Sequence, residues 1–202
     1  VIDTTTWVEW ESSDGFASLR HPADWEALSG SSDPPEAFRD VNPVLDSVEL
    51  TAPNGQMLVG LWDYVDVGGA CDAESIQPIE VLAMEETDLP FDRAAARAEI
   101  DESSPGTDVA SRRPVLATYA LGTTDGRWNV GVGLTTPERF EHGSTCYVYN
   151  IASSFAAGTD FGTTSQPGAL WTVDSLDDAR AYMETAEYAT IVEILRSVEV
   201  AA

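Results

Sequence analysis

Hydrophobic and polar positions alternate along most of this chain and lengthen to a helical period only near its end. Trp7–Glu11 and Phe16–Arg20 both alternate. Between them, Ser12-Ser-Asp-Gly15 supplies a glycine where a turn needs positive φ, so the pair predicts a β-hairpin. A third short strand is expected over Asp24–Leu28, after a turn at His21-Pro22. Gly30–Pro35 reads as a loop, because proline removes backbone donors and the Ser/Asp cluster competes for the rest. The same signals predict a second hairpin, Leu45–Thr51 with Gln56–Trp62 around Pro53-Asn-Gly55, and a strand over Pro78–Met84. A third hairpin joins Pro114–Leu121 to Arg127–Leu134 around Thr123-Thr-Asp-Gly126, and another strand is expected at Thr145–Ile151. Phe91–Arg113 reads equally as a two-turn Ala/Arg helix or as an ordered loop.

The helical period begins at Ser175. Ser175-Leu-Asp-Asp178 resembles a capping box with acids in the first turn, where the helix dipole favours them. Leu176, Ala179 and Met183 share a face, and Thr185 is placed to cap a second helix. Tyr188, Ile191, Val192 and Leu195 follow the i, i+3, i+4, i+7 rule, and Ser197–Ala201 alternates as a strand does. Hairpins followed by helices, without βαβ alternation, predict an α+β fold. The expected architecture is one antiparallel sheet of about six to eight strands, flanked by helices, with the C-terminal helix packed on it. The 202 residues suit a single domain over 1–202, with residues 1–5 as a flexible tail.

Charge narrows the partners. Thirty-five Asp and Glu face ten basic residues, all Arg, for a net charge of −25. That balance excludes nucleic acid, whose binding depends on Lys and Arg displacing counterions from phosphates. It also repels anionic membrane surfaces. No apolar run approaches the roughly 20 residues that cross a bilayer, so no direct membrane insertion of this chain is expected. Val1–Thr6 lacks the basic and apolar regions of a signal peptide. The carboxylates read chiefly as a solubilising coat.

The two cysteines allow one pairing. Cys71 lies in a Gly-rich turn and Cys146 in an expected strand, seventy-five positions apart. A Cys71–Cys146 disulfide in an oxidising compartment is expected, worth about 4 kcal/mol through the loop it closes. Two unpaired buried thiols are the alternative.

No catalytic constellation stands out. His21 and His142 are the only histidines, without zinc-ligand spacing, and the Gly-x-Ser-x-Gly elbow is missing. His142 with Cys146 is a weak nucleophile pair, because surrounding acids oppose a thiolate. Asp63, Asp66 and Asp72, or Glu85, Glu86 and Asp88, are acid groups that a calcium ion would favour, yet the twelve-residue calcium loop is absent. No cofactor and no metal are expected. Six tryptophans remain, at 7, 10, 25, 62, 128 and 171. Trp25 reads as a structural plug in its turn. Trp7 and Trp10, three apart on one strand, should point to opposite faces, one into the core and the other exposed or covered by a helix. Exposed tryptophan serves as a flat platform for sugars or peptides, and Trp7 and Trp62 are the candidates for that role.

The segment Phe16-x-x-Leu19-x-x-Pro22-x-x-Trp25, the hairpins after it and the terminal helix running into Ile194–Val200 resemble the PsbP-like superfamily. They are similar most of all to acidic secreted or lipid-anchored proteins of high-GC Gram-positive bacteria. The resemblance implies an antiparallel sheet sandwiched by helices and an extracytoplasmic setting, and it carries no catalytic residues. The expected function is therefore a non-catalytic binding or accessory module, tethered at the cell surface and contacting a protein or cell-envelope component. The rival expectations are a carbohydrate- or peptidoglycan-binding domain using exposed Trp, and a hydrolase using two carboxylates.

Overall fold

A computed structural model describes residues 1–15, 17–33, 36, 44–62, 76–89, 115–135, 137–145, 155–157 and 172–200. Phe91–Arg113, Cys71, Cys146 and the expected strand beyond Thr145 lie outside these residues.

Three hairpins form where the turn signals stand. β1 (Val8–Glu11) pairs antiparallel with β2 (Ala17–His21), β4 (Leu45–Thr51) with β5 (Met57–Trp62), and β7 (Val115–Gly122) with β8 (Trp128–Thr135). The last two connections share one backbone solution. Gly55 N–H donates to Ala52 O and Gly126 N–H to Thr123 O, closing a β-turn in each. Both glycines have φ above +80°, a conformation that a side chain would strain.

β3 (Glu26–Ser32) pairs with β4 over its whole length, so the stretch expected to be a loop from Gly30 is strand as far as Ser32. The partner strand supplies the template here: Gly30, Ser31 and Ser32 face Ser47, Asp46 and Leu45. Ladder bonds with β4 outweigh the weak strand preference of Gly and Ser. β3 is exposed throughout and forms a sheet edge.

β6 (Gln77–Glu86) adds to β7, and β9 (Ser144–Thr145) to the start of β6. β10 (Phe155–Ala157) joins β5 to β8, and β11 (Thr172–Val173) pairs with the start of β8. The result is a nine-stranded antiparallel sheet ordered β3-β4-β5-β10-β8-β7-β6-β9, with β11 alongside β8. A separate sheet, β1-β2-β12, forms because β12 (Glu199–Val200) returns to pair with β2. The fold is α+β with antiparallel strands, divided between two sheets where one was expected. The physical reason is that the closing strand pairs with the opening hairpin and leaves the large sheet without it.

Helix α1 (Leu176–Tyr182) starts at Ser175, whose Oγ accepts from Asp178 N–H at 3.1 Å. Helix α2 (Ala186–Arg196) starts at Thr185, whose Oγ1 accepts from Tyr188 N–H at 3.1 Å and donates to Tyr182 O at 2.7 Å. One threonine thus caps the second helix and ties it to the end of the first. Ile191, Val192, Ile194 and Leu195 of α2 are buried against β2 and β8. Each such side chain contributes about 1.5–3 kcal/mol when removed from water.

The main core gathers Ala17 and Leu19 of β2, Val48 and Leu50 of β4, Leu58, Val59 and Leu61 of β5, the inner residues of β8 and the α2 stripe. A second cluster on the other side of β7 holds Ile79, Val115, Ala117 and Tyr119, with Phe140 packed against Tyr119 at a centroid distance of 5.7 Å. β7 is therefore covered on both faces, which explains its nearly continuous run of apolar residues.

Candidate functional site

The beginning and end of the chain meet beside the small sheet. Ser197, which ends α2, accepts from Arg20 N–H at 2.8 Å through its Oγ. The same hydroxyl lies within bonding distance of Arg20 O and Ile194 O. Two strands away in sequence, the turn before β1 is closed by Trp7 N–H donating to Thr4 O at 3.2 Å. That carbonyl also takes a bond from Arg20 Nη2 at 2.9 Å, so residues 4 to 7 are held onto β2. Asp3 contributes to the same segment by accepting from Thr5 N–H and Oγ1.

A cleft of about 140 Å³ opens at this junction, lined by Thr4, Trp7, Arg20, Glu193, Arg196 and Ser197. Its charges divide unevenly. Arg196 is bound by Glu85 and Glu193, both at 2.5 Å, which hold its guanidinium charged. Among the four arginines with described side chains, Arg127 pairs with Asp125 and Arg180 with Asp177. Arg20 alone has no carboxylate partner among the described residues. The indoles divide in the same way. Trp10 Nε1 donates to Ser29 Oγ at 2.9 Å, whereas the Trp7 indole N–H has no partner among the described residues.

Among the sequence candidates with described side chains, Trp7 lines a concave setting. It is half-buried and packs against the main core, as Trp10 does. One indole was expected in the core and the other exposed or covered by a helix; both are partly buried against the core, and β1 begins only at Val8. Trp7 sits in the preceding turn, and strand alternation does not reach it. Trp25 is buried in the main core with its backbone N–H donating to Pro22 O, in the plug role expected for it. Trp62 ends β5 opposite Ser47, and its side chain lies outside the described residues. So do Cys71, Cys146, Asp63, Asp66 and Asp72.

The histidines stand apart from the cleft. His21 is buried, its Nδ1 2.9 Å from Pro22 O, and His142 is exposed beside the Gly143 turn. Glu86 and Asp88 are exposed, and Glu85 is engaged by Arg196. Among the described residues no group of three or more His, Cys, Asp or Glu is placed to hold a metal ion. No described helix is long and apolar enough to cross a membrane.

Arg20, Glu193, Arg196, Thr4 and Ser197 carried no local signal in the sequence. They come from segments up to 193 positions apart in number and share a surface only because β12 returns to β2. The one available hint was Arg20 at an outward position of an alternating strand. No protein-family model, curated protein or solved structure matches this chain.

Proposed function

We propose that this chain is a non-catalytic binding or accessory module working outside the cytoplasm, and that the cleft beside Trp7 is its contact surface. The observation that supports this reading is the pairing of a half-buried indole with an arginine that has no carboxylate partner among the described residues, both lining one concavity. In a chain of net charge −25 a carboxylate partner for an arginine is easy to find, so one in a cleft with none among the described residues is a feature to explain. The lining holds a single carboxylate, Glu193, and that lends no support to a hydrolase built on two acids.

Tethering at the cell surface, the PsbP-like sandwich and the Cys71–Cys146 bridge belong to the same proposal. Their support is the Phe16–Trp25 pattern, the terminal helix packed near a sheet, and a composition of two cysteines without lysine. A carbohydrate- or peptidoglycan-binding role is the second reading, favoured by the Trp7 ring in the cleft. The test is binding of the full chain to purified cell-envelope fractions and to a glycan array, with Trp7→Ala run in parallel. Binding that disappears in the variant while its circular dichroism is kept supports the module. Equal binding by both chains, or none by either, rejects it. Thiol titration of the unfolded, unreduced chain tests the bridge, and two reactive thiols per chain reject it.

A further inference from the structure

We propose that the free edge of β3 is a second contact surface, and that it takes an extended, basic segment of a protein partner as an added strand. β3 shares no residue with the cleft beside Trp7. It pairs with β4 on one side, and no described strand lies on the other. Alternate residues of such a strand turn N–H and C=O groups outward, a template on which another chain can pair. Seven residues, Glu26–Ser32, offer roughly 20 Å of that template. All seven are exposed, so the neighbouring segments leave the edge open.

Other edges among the described strands are blunted, and β3 is not. β1 carries Glu9 and Glu11. Beyond Pro78 the outer side of β6 has no described partner strand, and there it carries Glu80, Glu85 and Glu86 and a register shift between Val81 and Ala83. Charges and bulges of that kind keep stray strands from pairing. β3 has neither along its middle. Its register with β4 runs unbroken from Glu26 to Ser32, and its one charge stands at the end. The strand is also braced, because Trp10 Nε1 donates to Ser29 Oγ and Ser13 donates to Asp46 of β4 beside it. A template held in place before binding loses less entropy when it is used.

Side chains select the partner. Glu26, Leu28, Gly30 and Ser32 share one face of β3, and Glu49 of β4 stands directly opposite Leu28 on that face. Leu28 is 65 % exposed, an apolar contact flanked by these two carboxylates. Asp24 and Asp33 bracket the strand at its ends. None of these four acids has an ion pair or a side-chain hydrogen bond among the described residues. β3 and β4 contain no arginine, so the edge is acidic and uncompensated. A second copy would bring the same four carboxylates to the same seven positions, with no base to meet them. An extended segment with Lys or Arg two positions from an apolar residue is the complement. Its apolar side chain meets Leu28 and its base meets Glu26. Main-chain bonds give such a strand its affinity, and the side-chain positions give the choice of partner.

The experiment adds capped peptides to the ¹⁵N-labelled full chain and follows the β3 amides. The probe is Thr-Lys-Thr-Val-Thr-Lys-Thr, which sets Lys two positions from Val in either strand direction. One control exchanges both Lys for Glu. The other replaces the two Thr beside Val with Pro, which keeps the charge and removes amide donors. At saturation the probe should slow hydrogen exchange at alternate β3 amides by about tenfold or more. Glu26→Gln should weaken its binding about two- to fivefold, the range of a cross-strand pair. Leu28→Lys should weaken it further, because it removes the apolar contact and adds a like charge. Both side chains are exposed, so neither variant should move the thermal midpoint, and Trp7→Ala should leave probe binding unchanged. Equal binding of either control, or no binding of the probe, overturns the proposal. Alternate β3 amides already slow without peptide, in a chain that sediments as a dimer, make a second copy the occupant and overturn it as well. Binding lost in Trp7→Ala but kept in Leu28→Lys moves the contact to the cleft, which sinks the edge and keeps the module.

Discussion

The Tyr188 hydroxyl of α2 lies 2.8 Å from the Thr118 hydroxyl of β7, joining the terminal helix to the middle of the large sheet. Thr118 is 2 % exposed, so losing its partner leaves a polar group that water cannot reach. Tyr188→Phe or Thr118→Val alone should each cost about 1–3 kcal/mol in urea unfolding. The double variant should cost less than the sum, because replacing both partners by apolar groups leaves no orphan. Simple additivity would show that the two hydroxyls do not depend on each other.

Asp46 points inward from β4 and is buried, and it has no arginine partner among the described residues. Its Oδ2 accepts from Ser13 N–H at 2.5 Å and Ser13 Oγ at 2.7 Å, linking the first hairpin's turn to the large sheet. Asp46→Ala should destabilise the chain by about 1.5–3 kcal/mol, the range for bonds to a charged acceptor. Asp46→Asn keeps one acceptor and should cost less. Equal midpoints for wild type and Asp46→Ala would contradict this link between the sheets.

Alkali should expose Tyr182. Burial raises its phenol well above the ordinary value, aided by the Glu187 carboxylate, which accepts its hydroxyl at 3.0 Å. Above pH about 10 the unfolded chain releases this proton while the folded chain keeps it. The folded state then binds more protons, so stability falls as pH rises; below about 10 the contribution is complete. Tyr182→Phe should flatten the alkaline limb of a stability-against-pH curve, and an unchanged limb would place the effect elsewhere.

Acid acts on the third hairpin with the opposite sign. Asp125 is held at a pKa of about 2, first by the Thr123 hydroxyl at 2.5 Å and then by Arg127. Its contribution is complete above the usual carboxylate value near 3.9 and fades as pH falls toward about 2. The Asp125 carboxyl carbon should titrate at about 2 by NMR, and Thr123→Ala should move the midpoint upward. A wild-type midpoint near 4 would refute the turn geometry.

Much of the fold was legible in sequence. The turns at Asp14-Gly15, Asn54-Gly55 and Asp125-Gly126 announce three hairpins, because few residues other than glycine relax at positive φ. Ser175 and Thr185 announce two helix starts, because each side chain satisfies a backbone donor that the helix itself leaves open. The helical period counted from Tyr188 picks out Ile191, Val192 and Leu195 of the α2 stripe but not Ile194. That residue stands at i+6 from Tyr188, outside the i, i+3, i+4, i+7 set, and the helix buries a wider stripe.

What sequence alone determined, then, is the set of local elements: strand against helix, turn positions, caps and the strong negative charge. These follow from interactions within a few residues, where spacing is information enough. Tertiary structure decided the rest. The split into two sheets, the extension of β3 along β4, the two-sided burial of β7 and the meeting of Trp7 with Arg20 and Glu193 all depend on which strand finds which partner. Pairing partners are chosen by burial and ladder bonds summed over the whole chain, and no local pattern records that choice.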